Sequence, residues 1–173
     1  MRLLLALFAA AFLGGCAGYT VGPIKPTPMK TVARIHVKNF TNDTLEPRVE
    51  VLFTNLLIKQ LQQDGTYEIT DESRADAILQ VNLSEIERRP ARSLRGNVLQ
   101  TREYLLNLRA RYKVTKADTG VVLDERGVVG STSFFVTGEN LISADSNQDE
   151  RQALPLAAED LAIRITSLVS EGW

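Results

Sequence analysis

The sequence is poor in residues that usually carry chemistry: its 173 residues include one cysteine, one histidine and one tryptophan. A single cysteine excludes an intramolecular disulfide. The 20 basic and 21 acidic side chains nearly cancel, which excludes a strongly acidic or basic disordered protein. The longest apolar run, residues 3–13, is shorter than the roughly 20 residues that a membrane-spanning helix needs. We therefore expect one globular domain of ordinary composition.

Catalytic and cofactor-binding motifs are also missing. The sequence contains no G-x-S-x-G elbow, Walker loop, H-E-x-x-H pair or dinucleotide fingerprint. The only histidine, His36, falls at a solvent-facing position of a predicted strand, where a general base is not expected. We therefore predict that the protein is not an enzyme and that it binds no metal, cofactor or nucleic acid.

The first sixteen residues have the pattern of an export signal. Arg2 precedes the apolar run, and the run ends on Gly14, Gly15 and Cys16. The pattern resembles bacterial lipoprotein signals, in which the cysteine carries lipid, so we predict a signal peptide over residues 1–15 and lipid attachment at Cys16. More than one acyl chain gives stable anchoring, and Ala17, in place of Asp, favours the outer membrane by the same resemblance. The alternative is a secreted protein whose cleavage site happens to contain a cysteine.

Residues 16–31 are rich in turn-forming residues and show little periodicity. They include two glycines and three prolines, which favour an extended tether between the acylated N-terminus and the rest of the chain. At about 3.1 Å per residue such a tether reaches roughly 45 Å. The folded domain is predicted to occupy residues 32–173.

Hydrophobic periodicity predicts six main elements in the order β-α-β-β-β-α. The strands are expected over residues 32–39, 77–87, 102–115 and 121–136, and the helices over residues 45–63 and 152–170. A short extended piece is expected at 67–70, connecting loops at 88–97 and 137–147, and a hairpin turn at Asp118-Thr119-Gly120.

Particular residues refine these boundaries. The segment Thr41-Asn42-Asp43-Thr44 is expected to cap the first helix, with Pro47 in its first turn. Gly127 and Gly130 are expected to mark a bulge in the last strand. Because proline is costly inside a helix, Pro155 is expected in the first turn of the last helix or at a kink.

Every predicted strand has one apolar and one polar face, which indicates a sheet covered on one side only. Two amphipathic helices would cover the apolar side. The predicted fold is an α/β (α+β) two-layer sandwich, with a mixed four-stranded sheet and two helices packed on one face. Its uncovered face would present these polar residues: Arg34, His36, Lys38, Gln80, Asn82, Arg109, Arg111 and Lys113.

Charge is distributed unevenly along the chain. Residues 88–116 contain 9 basic and 1 acidic side chains, whereas residues 117–173 contain 3 basic and 10 acidic ones. Such asymmetry can indicate an anionic partner. The alternative is that these arginines pair with the acidic C-terminal helix within the fold.

Several segments in order carry a family resemblance: Cys16-Ala17-Gly18-Tyr19, the proline-bearing tether, Asn39-Phe40-Thr41-Asn42-Asp43-Thr44, a helix with Glu46, Thr54 and Leu56-Leu57, and Ala75-Asp76-Ala77-Ile78-Leu79. Together they resemble the LPS-assembly lipoprotein family, LptE, over nearly the whole chain. The resemblance implies a non-enzymatic outer-membrane lipoprotein that complexes with the LptD β-barrel, plugs it and assists lipopolysaccharide assembly at the cell surface. Its domain would lie on the periplasmic side or within the barrel lumen.

The same resemblance implies a ligand with lipid A phosphates, which arginine binds in bidentate fashion. The candidate lipopolysaccharide-binding residues are Arg88, Arg89, Arg92, Arg95, Arg109, Arg111 and Lys113. The alternative is that they are solvated charges, with Arg88 and Arg89 paired to Glu85 and Glu87. Similar segments also occur in outer-membrane lipoproteins that activate a peptidoglycan synthase or form part of a secretion channel, and this remains the alternative function.

Overall fold

The computed structural model describes residues 25–92, 101–137 and 144–171. These residues form six strands and two α-helices: β1 (Arg34–Val37), β2 (Thr41–Asn42), α1 (Val49–Asp64), β3 (Glu68–Ile69), β4 (Ala77–Arg92), β5 (Thr101–Lys116), β6 (Val122–Thr137) and α2 (Ala144–Glu171). The predicted signal peptide, Cys16 and Arg95 lie outside the described residues.

All six strands belong to one mixed sheet in the order β3-β1-β4-β5-β6, with β2 also pairing with β4. Pairing is parallel where a helix or loop separates the strands, as in β1 with β3 and β1 with β4. It is antiparallel along the hairpins β4–β5 and β5–β6. The predicted mixed sheet is confirmed, with six strands rather than four because the short pieces β2 and β3 also pair.

The core lies between the sheet and the two helices. Side chains from the sheet, among them Ile35, Leu79 and Tyr112, are fully buried in one cluster with helical side chains such as Phe53 and Leu161. The strands β1, β4, β5 and β6 bury alternate residues over much of their length, because successive side chains of a strand point to opposite faces. The predicted two-layer α+β fold is therefore confirmed, with one sheet face left open.

Helix α1 begins later than predicted. The Asn42 side chain accepts a hydrogen bond from the Thr44 backbone N–H (2.9 Å) and donates one to the Glu46 carbonyl (2.8 Å). These contacts hold the segment in a turn, so the expectation that it caps the helix is wrong. Arg48, at a left-handed φ of 65°, is the N-cap residue, and Pro47 precedes the helix.

Strand β4 runs farther than predicted, through Arg88, Arg89 and Arg92, so the expected loop at 88–97 is wrong for residues 88–92. Pro90 lies inside this strand, opposite Tyr104 of β5. Proline is tolerated because pairing of β4 with β1 and β2 ends at Leu83, so this stretch pairs with β5 on one side only.

The expected bulge at Gly127 and Gly130 is also wrong. Both glycines keep register with β5, opposite Arg111 and Leu108. Gly130 is required for a different reason: a Cβ atom there would lie 2.5 Å from the Leu161 Cβ of α2. The register shifts fall instead beside Ser84, near Arg92 and near the start of β6.

Helix α2 begins at Ala144, eight residues before its predicted start, and Pro155 lies in its interior. The expectation that Pro155 marks the first turn is therefore wrong. The polar stretch that precedes the periodic residues is helical too, so the predicted loop at 137–147 is shorter. Packing of the following residues against the sheet offsets the backbone hydrogen bond that proline cannot make.

Candidate partner-binding face

The uncovered side of the sheet is the candidate site, and we call it the open face. The structure places all eight residues predicted for it on this side, exposed or half-buried. Their strand neighbours, such as Ile35, Leu79 and Val81, are buried on the other side. The prediction of a polar face presented by β1, β4 and β5 is therefore confirmed.

A bulge at Ser84 adds residues to the open face. Leu83 is opposite Ala110, and Glu85 is opposite the next residue of β5, Arg109. Ser84 is therefore the extra residue of the bulge. Its hydroxyl donates a hydrogen bond to the Arg109 carbonyl (3.1 Å). Because one extra residue reverses the alternation of side chains, the odd-numbered residues that follow point to the open face. Glu85, Glu87 and Arg89 therefore join it.

Opposite charges alternate across the open face. The following pairs lie within 3.6 Å: Arg34–Asp76, Lys38–Glu72, Arg89–Glu87, Arg109 with Glu85 and Glu87, and Arg111–Glu125. Because water screens these charges, each pair contributes little to stability. Among the described basic side chains of residues 88–116, Arg109 and Arg111 are thus paired with carboxylates of neighbouring strands, and the open face is polar with charges of both signs.

Asp76 has the most heavily satisfied carboxylate on this face. It accepts hydrogen bonds from the Arg34 guanidinium (2.9 Å) and from the backbone N–H groups of Ala33 (3.0 Å) and Arg34 (2.9 Å). These bonds favour the charged form, and the Arg34 guanidinium contributes most to lowering the pKa of Asp76 to about 2. Asp76 thereby fastens the start of β1 to the residue that precedes β4.

Arg88 lies on the opposite side of the sheet from Arg89. Its guanidinium contacts Glu150 of α2 and Glu46 (2.9 Å) ahead of α1. These groups, with Arg151 and Leu154, line a polar cleft of about 250 Å³. The hydrogen bond to Glu150 is the main reason that the pKa of Arg88 is raised. Arg88 therefore links β4 to α2 and to the residues just ahead of α1.

The predicted lipopolysaccharide-binding residues do not form one cluster among the described residues. Arg89, Arg109, Arg111 and Lys113 share the open face, whereas Arg88 faces the helices. The backbone of Arg92 pairs with that of Glu103. Pairing of Arg89 with Glu87 confirms part of the alternative noted above. Pairing of Arg88 with Glu150 confirms in one instance the expected contact with the C-terminal helix.

The alternation pattern in the sequence could not reveal these partners of Arg88. The signal that it faces the helices is the bulge at Ser84, which alters the parity of every later residue in β4. A bulge at a serine flanked by leucine and glutamate has no distinctive sequence pattern. Sequence reasoning also missed the contact between Asp160 of α2 and the backbone of β6 at Ser131 (2.8 Å).

Among the described residues, reactive groups are not gathered on this face. Within residues 25–92, 101–137 and 144–171, no three His, Cys, Asp or Glu side chains are arranged to hold a metal ion. His36 is half-buried, with its Nδ1 atom 3.0 Å from the Thr70 carbonyl. Among the same residues, no helix combines the length and apolar character needed to span a membrane.

Comparison with known proteins gives one family match. A family model described as "LptE: Lipopolysaccharide-assembly" matches residues 32–168, which is most of the chain. No curated protein matches the sequence.

Solved structures share the fold at low sequence identity. A minor lipoprotein from Acinetobacter baumannii is 17% identical, with a TM-score of 0.51, and the match covers 79% of this chain and 90% of that one. A neuraminyllactose-binding hemagglutinin homologue from Helicobacter pylori is 12% identical, with a TM-score of 0.54, over 88% and 89% of the two chains. PelC, a dodecamer from Paraburkholderia phytofirmans, is 14% identical with a TM-score of 0.50, over 87% and 96%. Such identities show a common fold.

Proposed function

Since the chain belongs to the LptE family of non-enzymatic lipopolysaccharide-assembly lipoproteins, we propose that it forms a complex with an LptD-type outer-membrane β-barrel, plugs that barrel and assists lipopolysaccharide assembly at the cell surface. The proposal has three parts, which are the docking surface, the anchor and the lipopolysaccharide contact. Each part is supported by different residues.

The open face is the observation that carries the docking proposal. A wide barrel has a polar, water-filled interior, so a plug needs a folded surface whose charges are already compensated. The open face is such a surface, because Lys38, Arg109 and Arg111 are each paired with carboxylates. Docking can then exchange or retain ion pairs without burying an isolated charge, which would be costly.

Anchoring at the outer membrane is the second part. Cys16 follows an apolar run and two glycines, and it is the only cysteine of the chain. Acylation of its thiol and amine supplies stable attachment. The predicted tether of residues 16–31 would let the domain stand clear of the lipid headgroups or lie against a protein embedded among them.

Lipopolysaccharide contact by the seven predicted basic residues is the third part. Arg89 and Arg111 are the more exposed members whose side chains are described, at 60% and 72% of the side-chain surface. Glu125, the carboxylate partner of Arg111, is exposed, so a phosphate can replace it at small cost. Arg92 is the last residue of β4 and Arg95 follows it in the sequence, and both are proposed to bind with them.

Copurification tests the complex. The tagged full-length protein, extracted in mild detergent, is expected to bring down a large β-barrel in one-to-one stoichiometry. Depletion of the protein is expected to lower lipopolysaccharide at the cell surface. Recovery free of any barrel would reject the proposal, and recovery with a peptidoglycan synthase or in rings would favour the alternative function.

Lipopolysaccharide binding is tested separately by charge reversal. Arg92→Glu combined with Arg95→Glu is expected to weaken binding of purified lipopolysaccharide at least tenfold at low salt, and less at high salt because screening weakens exposed charges. The control is Lys59→Glu on the exposed surface of α1. Unchanged binding with an unchanged circular dichroism spectrum would contradict this part of the proposal alone.

A further inference from the structure

Strand β6 is an edge strand without the usual protection. It ends the sheet order, and residues 127–137 contain neither a charged residue nor a proline. Natural edge strands are normally guarded by charges, prolines or bulges, because exposed backbone groups otherwise pair with another strand. Residues 84–92 of β4, which also pair on one side only, contain five charged residues and Pro90. The edge of β6 is therefore the one suited to receive another strand.

Two hydrogen bonds show which backbone groups of β6 face outward. The Ser131 N–H donates to Asp160 of α2 (2.8 Å). The carbonyl of Arg109, which is opposite Val129, accepts from Ser84 on β4 (3.1 Å) and so points away from β6. Because backbone direction alternates along an antiparallel strand, the odd-numbered residues of β6 from 127 to 135 present their N–H and C=O groups to the outer edge.

Exposed apolar side chains lie along the same edge. Of the eight large apolar side chains exposed in the described part of the chain, Val129 and Phe135 lie on the uncharged stretch of β6, and Leu156 and Ile163 lie on α2. Leu156 is four residues before Asp160 and Ile163 is three after it, so these two share the flank of α2 that reaches the edge of β6. Exposed apolar side chains grouped in this way indicate an interaction surface. Lipid does not fit it, because hydrocarbon cannot satisfy the outward backbone groups.

The uncharged stretch of β6 is complementary to itself. In an antiparallel pair of two copies centred on Thr132, Val129 of one copy is opposite Phe135 of the other, and Ser131 is opposite Ser133. Apolar residues therefore meet apolar residues and hydroxyls meet hydroxyls, which are favourable cross-strand neighbours. The backbone groups match too, because all four of these residues are odd-numbered and present their N–H and C=O groups outward. A second copy of the chain thus satisfies both the backbone and the side chains of this edge.

We propose that the protein, when free of the barrel, forms a two-fold dimer in which β6 pairs antiparallel with β6 of a second copy, centred on Thr132. Two-fold pairing leaves neither β6 edge open to a third copy, so the assembly closes at two. Asp160 opposes the dimer, because it must release the Ser131 N–H to the partner strand. Its ion pair with Arg164 (2.8 Å) can remain. The inference is independent of the proposed barrel complex, since it concerns the free protein.

Cross-linking of the full-length protein, purified without a barrel, tests the pairing and its register. Two variants, Val129→Cys and Phe135→Cys, are mixed and treated with a short bismaleimide. The mixture is expected to give at least tenfold more covalent dimer than either variant alone, because identical residues lie about 20 Å apart in this register. The separate variants also measure any contribution from Cys16. No dimer in the mixture, or as much dimer in either variant alone, would overturn the proposal.

Sedimentation velocity of the same protein in mild detergent measures the affinity. Val129→Asp combined with Phe135→Asp places charges in the paired stretch and is expected to raise the dimer dissociation constant at least tenfold. Val51→Asp, on the exposed surface of α1, is the control and should leave it unchanged. Circular dichroism verifies that each variant is folded. A wild-type protein that stays monomeric up to its solubility limit would overturn the proposal.

The role of Asp160 gives a test in the opposite direction. Asp160→Ala frees the Ser131 N–H for the partner strand, so it is expected to lower the dimer dissociation constant severalfold. Glu159→Ala removes the neighbouring exposed carboxylate and is the control for the loss of charge. Equal dissociation constants for the two variants would contradict pairing at Ser131 and overturn the proposed register.

Discussion

Individual residues, and glycines in particular, determine how closely α2 approaches the sheet. At Gly130 a Cβ atom would lie 2.5 Å from the Leu161 Cβ and 2.6 Å from the Ala157 carbonyl oxygen. The second of these is a backbone atom, which cannot move aside without shifting the helix. Gly127, on the open face of the same strand, has no atom within 4 Å of the corresponding position.

Gly130→Ala is therefore expected to lower the free energy of unfolding by about 1–3 kcal/mol, the usual cost of overpacking. Gly127→Ala is the matched control and should change it by less than about 0.5 kcal/mol. Urea denaturation of both variants provides the measurement. Equal stabilities of the two variants would show that α2 does not rest directly on β6.

A second residue-scale prediction concerns acid. The folded-state pKa of Asp76 is about 2, below its ordinary value of 3.8. Because this pKa is depressed by folding, its stabilising contribution is present above the unfolded-state pKa and is lost as pH falls through the folded-state value. The wild type is therefore expected to lose more unfolding free energy than Asp76→Asn between about pH 5 and pH 2.

Urea midpoints measured across this pH range test the prediction. Glu159→Gln, which changes an exposed carboxylate of α2, is the control and should keep the wild-type pH dependence. Parallel curves for the wild type and Asp76→Asn would contradict the role assigned to the contacts with Arg34 and Ala33.

At the scale of elements, the two long segments that differ from expectation are β4 and α2. In both, a proline lies where the sequence indicated an interruption, and in both the element continues through it. Pro90 is tolerated in β4 because that stretch has a strand on one side only. Pro155 is tolerated in α2 because the helix around it is held by packing, with Ala153, Ala157 and Ala158 buried.

Pro155→Ala is expected to raise the free energy of unfolding by about 1–2 kcal/mol. Alanine restores the backbone N–H that can donate to the carbonyl one turn earlier, and it relieves the clash of the proline ring. The greater conformational freedom of the unfolded chain offsets part of this gain in stability. The free energy of unfolding of Pro155→Gly should be about 1 kcal/mol lower than that of Pro155→Ala, since glycine is a poorer helix former. Thermal or urea denaturation measures both. A loss of stability in Pro155→Ala would show that the proline ring contributes packing that alanine cannot replace.

For the molecule as a whole, the two sides of the sheet differ in character. Both helices pack on one side of the sheet, and the other side carries compensated charge. The sequence suggested a strongly basic middle segment, but in the described part of the fold Arg88, Arg109 and Arg111 lie beside carboxylates of other elements. The open face is thus a polar surface, and its charges can be changed without touching the core.

Arg109→Glu combined with Arg111→Glu is expected to reduce copurification with the barrel severalfold while leaving thermal stability nearly unchanged. Both side chains are exposed, so their reversal removes surface ion pairs and adds repulsion toward Glu85 and Glu125 at modest cost to stability. Lys59→Glu on α1 is the control. Full recovery of the barrel with the double variant would place the docking surface elsewhere.

The sequence by itself determined the class of fold and the polar character of the open face. Alternation in β1, β4 and β5 and helical spacing in α1 and α2 record which side of each element is buried, and this information is local. Only the tertiary structure decided where β4 ends, where α2 begins, which face Arg88 occupies and why Gly130 is glycine. Those outcomes depend on a bulge at Ser84, on one-sided strand pairing and on the approach of α2 to β6, and contacts between residues distant in sequence leave no periodic pattern.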